Sequence, residues 1–307
     1  MRLEIAEPLV EAAVRLAIAE QRQTPRYFRE REPLYEIADA EERESAFRSL
    51  HRRWFVRLGL DRSLEQAFDE ARGLDGHVAR CLVGPARRPK DEGSELFVRP
   101  SETGTADRAD RTLAIRVLPA TLADGSRLLW LLRRELLHVT DMLDPSFLYE
   151  PELSVSPAGP VHDLLLRDRY SVLWSTTVVG RLSRRGHAPP GATAEARARL
   201  LLAFPMLESK AEEALSRLWS EDRPTHFELE RMAADPRRTF GLAEGQDPGM
   251  PCPVCRFPSY TFESLEDLGA EVAEQLRTQH AECRTHDVLC PRCADVYRAR
   301  AEVFPPP

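Results

Sequence analysis

The sequence predicts a helix-rich α+β fold followed by a small, separately folding C-terminal module. Three observations carry this expectation. Apolar residues recur at spacings of three and four over most of the chain, as on one face of a helix. Residues 78–83, 95–98 and 113–118 are instead short, rich in β-formers and separated by turn residues. Past a Gly-, Pro- and Asp-rich stretch at 236–251 lie two Cys-x-x-Cys pairs. The implied organisation is a helical region over 1–75, an α+β region over 76–240 and a cysteine module over 241–304.

In chain order, residues 1–23 are expected to form a first helix, with Leu9, Val10, Ala13 and Val14 in its amphipathic stretch. A second helical region runs from about 33 to 58, its face made by Ala46, Phe47, Leu50, Trp54, Phe55 and Leu58. A third spans 60–72 and ends at Gly73. The three β-rich segments make one small antiparallel or mixed sheet, and their polar joins at 84–94 and 99–111 read as loops. Ser126 is the expected N-cap of a helix carrying Leu129, Leu132, Leu136, Val139 and Leu143, which Asp144-Pro145 stops. Helices are then expected at 168–185 and, as one long element, at 193–219. Thr225-His226-Phe227-Glu228 has the form of a capping box opening a shorter helix. Trp54, Trp130, Trp174 and Trp219 all sit in helical patterns and read as core residues.

Composition narrows the function classes. The chain has 307 residues, 42% of them hydrophobic, and 50 acids against 43 bases leave a net charge of -7, so no broad polyanion-binding surface is implied. No stretch approaches the roughly 18 apolar residues of a membrane span, so no membrane role is expected. Glu4, Glu7 and Glu11 interrupt any apolar leader, which makes a reducing cytoplasm the expected location. No Walker loop, dinucleotide glycine motif or nucleophile elbow is present.

In a reducing compartment, Cys252-Pro253-Val254-Cys255 and Cys290-Pro291-Arg292-Cys293 read as metal ligands rather than disulfide partners. A gap of two residues lets both thiolates of a tight turn reach one tetrahedral ion at about 2.3 Å. Two such turns close a four-sulfur site with no open position, which points to a structural zinc in a zinc-ribbon or treble-clef-like module. Iron in a rubredoxin-like site is the alternative, and zinc is favoured because neither pair is followed by glycine. The 34 residues between the pairs accommodate a strand at 257–262 and a helix after Ser264 bearing Leu265, Leu268, Val272 and Leu276. His280, Cys283 and His286 are alternative ligands close to the second pair, and Cys81 reads as a packed apolar residue.

One helix carries a second chemical pattern, Arg133-Arg134-Glu135-Leu136-Leu137-His138-Val139-Thr140-Asp141. It resembles the His-Glu-x-x-His helix of the zincin metallopeptidases, in which two histidines bind zinc and the glutamate is general base. Over roughly 76–186, in 135–149 and Arg169-Tyr170-Ser171-Val172-Leu173-Trp174, it also resembles uncharacterised bacterial proteins that carry the full motif and end in a four-cysteine zinc module. The resemblance implies a zincin-like domain, with Glu135 as the base and His138 as a ligand. Arg134 stands where the first histidine belongs, and a guanidinium has no lone pair for a metal. A rearranged second site of His138, Asp141 and His162 would make the chain an active metallopeptidase. The preferred reading is a degenerate site with the structural zinc alone, in a protein that acts by binding a protein partner. A nucleic-acid role for the module is weakened by Glu263, Glu266, Asp267, Glu271 and Glu274.

Overall fold

The structure is a computed structural model that describes residues 1–99, 107–151, 160–220, 223–242, 249–280 and 288–303. It divides into two compact units, Met1–Tyr149 with Leu182–Pro189, and Glu150–Arg181 with Pro190–Pro307. Parts of two expected segments, the join at 99–111 and the boundary at 236–251, lie outside the described residues, as do Cys283 and His286.

The first unit is built on a four-stranded sheet. Its strands are β1 (Arg2–Ile5), β2 (Arg80–Pro85), β3 (Gly93–Val98) and β4 (Arg111–Val117), in the spatial order β1-β2-β4-β3. The first three positions run parallel, and β3 closes one edge antiparallel to β4. Residues 2–5 were expected to be helical, and the difference has a local cause. Pro8 belongs to the first turn of α1 (Glu7–Glu20), because a proline further inside would break the helix. The residues before it are left to pair with β2, and Ala6 continues the ladder by donating to the Val83 carbonyl at 2.9 Å.

Between β1 and β2 lie α1, α2 (Thr24–Arg31), α3 (Ala40–Arg57) and α4 (Arg62–Glu70). The expected 33–58 helix is interrupted. A 3-10 turn covers Glu32–Glu36, and α3 starts afresh where Asp39 accepts from the Glu42 amide at 2.8 Å. After the sheet come α5 (Pro119–Ala123) and α6 (Gly125–Leu143). The cap of α6 is Asp124, not Ser126. Its carboxylate accepts from the Ser126 and Arg127 amides, both at 3.1 Å, and so places Ser126 inside the first turn.

Alternation along the strands builds the core. Cys81 and Val83 of β2 sit in register with Leu113 and Ile115 of β4, and all four are buried. Leu9, Ala13, Leu50, Trp54 and Leu64 join them with Leu128, Leu132 and Leu136 of α6 in one cluster. The N-terminal helices and the sheet therefore share a single core. Burial pushes the Cys81 thiol up to about 12, in keeping with its reading as a packed apolar residue.

The second unit contains most of α7 (Pro160–Arg184), then α8 (Ala192–Ala203) and α9 (Ala211–Ser220). The one long helix expected over 193–219 is thus two. Pro205 forces Phe204 out of the helical region, to φ -131°, and a 3-10 turn over Pro205–Lys210 bridges the break. The capping box is present as expected, with Thr225 and Glu228 satisfying each other's backbone amides at the start of α10 (His226–Ala234). The short α11 (Pro236–Thr239) follows. The module then runs β5 (Met250–Pro251), β6 (Pro258–Ser259), β7 (Glu263–Ser264), α12 (Leu265–Leu268), α13 (Ala270–Gln279), β8 (Val288–Leu289) and α14 (Pro291–Val303). The strand expected over 257–262 shrinks to two-residue ladders, β5 with β6 and β7 with β8. No helix among the described residues is long and apolar enough to cross a membrane.

Gly180 lets α7 and α9 approach closely. A Cβ there would lie 3.0 Å from the Trp219 Cα and 3.1 Å from its carbonyl oxygen, both backbone atoms with little room to yield. Gly180→Ala gains about 1 kcal/mol of helix propensity and incurs an overpacking penalty of about 1–3 kcal/mol. A net loss of about 1 kcal/mol is expected as a lower denaturant midpoint at unchanged m-value; a higher midpoint would show that the helices can separate freely.

Candidate metal centre

The two cysteine pairs are presented by different local structures. The first sits in a knuckle between β5 and β6. There the Cys252 amide donates to the Phe257 carbonyl at 2.8 Å, and the Arg256 amide donates to the Cys252 carbonyl at 2.8 Å. Closing so tight a turn requires a left-handed residue, and Arg256 supplies it at φ 62°. The second pair opens a helix instead of a second knuckle. Cys290 immediately precedes α14 and Cys293 lies in its first turn, where the free amides and the helix dipole favour negative charge.

These elements bring all four sulfurs within 4.8 Å of one another, as one group able to hold a metal ion. Tetrahedral thiolate coordination at about 2.3 Å requires sulfur–sulfur separations of about 3.8 Å. Cys255 Sγ and Cys290 Sγ stand 3.8 Å apart, which fits that geometry and is far beyond a disulfide bond. Cys252, Cys290 and Cys293 are buried, and Cys255 is half-buried. The donor set therefore could supply all four positions of a tetrahedral cation.

Second contacts tune the sulfurs. The Cys290 amide points at Cys252 Sγ from 3.5 Å. Burial opposes ionisation of Cys252, but the amides of Cys290, Cys255 and Val254 outweigh it and bring the thiol down to about 7. Burial, reinforced by the neighbouring Cys290 and Cys255 sulfurs, pushes Cys293 upward. Burial also raises Cys290. A metal cation binding such a set would displace its remaining thiol protons into solvent. Around it, Leu265, Leu268, Val272, Leu276, Leu289, Ala294 and Tyr297 form the module's small core, to which three of the sulfurs themselves belong.

The residues of the second pattern are placed differently. Glu135, on α6, uses Oε2 to accept from the Ser94 amide at 3.0 Å and the Ser94 hydroxyl at 2.9 Å, on edge strand β3. Arg134 lies 3.8 Å from Glu135 Oε1, with its guanidinium 5.8 Å from the centre of the Trp130 ring. His138 is half-buried and Asp141 fully buried, both on α6 in the first unit. His162 is buried on α7, in the second unit. Among the described residues, the four cysteines are the one group of three or more potential ligands that converge on a point.

A further polar cluster of the first unit was not foreseen. Glu70 of α4 receives both Arg133 Nε and Nη2 at 2.7 Å, with His187 Nδ1 3.8 Å away, at a cavity of about 350 Å³. Glu70 and Arg133 are 63 positions apart, so no local pattern could have paired them. The chain matches no family model, no curated protein and no solved structure.

Two outcomes follow. Arg256→Gly removes a left-handed strain of about 1–2 kcal/mol against a glycine entropy cost of about 0.5–1 kcal/mol. A slightly higher melting temperature of the metal-loaded chain is expected, and a lower one would show that the Arg256 side chain itself supports the knuckle. The Arg133 guanidinium holds the Glu70 carboxyl down at about 2, below its unfolded value of about 4.3. Its contribution is therefore complete above that unfolded value and disappears as pH falls through about 2. With 29% of the side chain exposed, screening leaves on the order of 1 kcal/mol. Stability titrated between these limits should drop by that amount more in the parent chain than in Glu70→Gln; parallel curves would refute the pairing.

Proposed function

We propose that this chain is a zinc protein that acts by binding, in which the four-cysteine module is a structural and protein-interaction element beside a zincin-like domain without catalytic metal. The observation that carries the reading is the set of four sulfurs within 4.8 Å of one another, with the Cys255–Cys290 pair at the 3.8 Å of a tetrahedral site. A thiolate-only tetrahedral site suits zinc, which has no redox chemistry and no need of an open position when its role is structural. The knuckle followed by a helix that starts at the second pair supports a treble-clef-like arrangement over a ribbon.

The zincin-like part of the proposal draws support from the position of Glu135. The resemblance would make this carboxylate the base, beside an antiparallel edge strand. Here it rests on such a strand, β3, through Ser94, with the permanent charge of Arg134 close to its other oxygen. Both Ser94 donors occupy one oxygen of this carboxylate, and Arg134 leaves the first ligand position without a lone pair.

Metal analysis of the purified full chain is the test. One tightly held zinc per chain is expected, lost in Cys290→Ser and retained in His138→Ala. Iron in its place would overturn the zinc assignment. A second equivalent that disappears in His138→Ala would overturn the inactive reading of the first unit.

A further inference from the structure

One wall of the cysteine module is left open as a groove of about 720 Å³, running alongside Cys255, Cys290 and Cys293. Part of its lining is apolar: Phe257 is 73% exposed and Val296 43% exposed. None of the described residues that line it is Asp or Glu, although the chain as a whole is acidic.

The charges of α14 sort themselves by face. Arg298 pairs with Glu263 and with Asp295 and is neutralised there. Arg292 and Arg300 line the groove, are exposed, and have no carboxylate partner among the described residues. Arg300 is held at the rim, donating to Gln279 Oε1 at 3.0 Å and lying 5.3 Å from the Tyr297 ring centre. Arg292, Val296 and Arg300 are spaced by four, so one stripe of the helix presents cation, apolar side chain and cation in turn. Eight residues of helix separate the two guanidinium-bearing positions by roughly 12 Å.

We propose that this groove docks an extended peptide segment of a partner protein, of the form acid-x-apolar-x-acid. In an extended chain, residues i, i+2 and i+4 point to one side, and the outer two are about 13 Å apart, close to the spacing of the two arginines. The central apolar side chain then meets Phe257 and Val296 while the carboxylates reach Arg292 and Arg300 as charge-assisted pairs. A nucleic-acid strand fits less well. Two guanidiniums neutralise little of a polyphosphate, and Glu266, Asp267, Glu271 and Glu274 of the same module repel it. The proposal rests on the metal reading above, because the sulfurs fix both the knuckle and the first turn of α14 that bound the groove.

The experiment uses the full chain, with its zinc content measured in the same preparation. It is probed on an array of heptapeptides with Asp or Glu at positions 2 and 6 and Leu, Ile, Phe, Tyr or Trp at position 4. Companion arrays carry lysine for the acids or serine for the apolar residue, and labelled single-stranded dT12 is tested alongside. Acidic-apolar peptides should bind, both companions should not, and affinity should fall about tenfold or more in Arg292→Gln/Arg300→Gln and in Phe257→Ser. Unchanged zinc content in these variants shows that the fold is intact. A zinc-loaded chain that binds no acidic peptide, binds the lysine array equally, or prefers dT12 overturns the docking proposal alone. A chain that binds the peptides without holding zinc overturns the metal reading alone, and one that does neither overturns both.

Discussion

Four sulfur atoms held within 4.8 Å of one another are the constraint on which the C-terminal module depends. Its ladders are two residues long, and its core is a handful of leucines, a valine, a tyrosine and small residues on α12, α13 and α14. A core this small buries little apolar surface to offset chain entropy, so a metal clip would add substantially to its stability. Cys252 and Cys293 are also core members, so the ligands and the hydrophobic contacts stabilise the same atoms. A metal at that point would join the knuckle to the start of α14.

The first unit depends on a different economy of contacts. Its parallel strands require long crossovers, and the one between β1 and β2 contains four helices that cover the sheet. α6 anchors this core through Leu128, Leu132 and Leu136 while turning Glu135 toward edge strand β3. Ser94 donates to that carboxylate with both its amide and its hydroxyl, and so fixes the helix against the strand. On the same helix, Arg133 reaches Glu70 of α4. Arg133 and Glu135, two positions apart, thus hold α6 to two different elements.

Among the described residues arginine is the cation of nearly every ion pair, and its pairing is selective. Paired guanidiniums such as those of Arg133 and Arg298 fasten elements together. The two left facing the groove, Arg292 and Arg300, are distinguished by the lack of a described carboxylate partner, and they flank the apolar surface of Phe257 and Val296. Local sign therefore departs from the net charge of the chain, which is why composition alone speaks against polyanions yet is silent about a short acidic segment.

By itself the sequence determined those features whose cause is local. The Thr225–Glu228 capping box, the apolar stripe and the end of α6, the positions of β2, β3 and β4, and the four converging cysteines were legible because each rests on residues a few positions apart. Two Cys-x-x-Cys pairs state in their spacing that both sulfurs can reach one ion, though not that one pair would sit on a knuckle and the other open a helix. Tertiary structure decided what depends on distant partners. The pairing that makes residues 2–5 a strand is supplied by β2, nearly eighty positions away. The bonds of Glu70 to Arg133 and of Glu135 to Ser94, and the groove beside α14, likewise join segments with no common periodicity. Between the two lie the break at Pro205 and the cap at Asp124, where proline sterics and a carboxylate two residues upstream outweighed a continuous helical pattern. A repeating pattern reports the face a segment can bury; the neighbours that come to cover that face are chosen only when the whole chain packs.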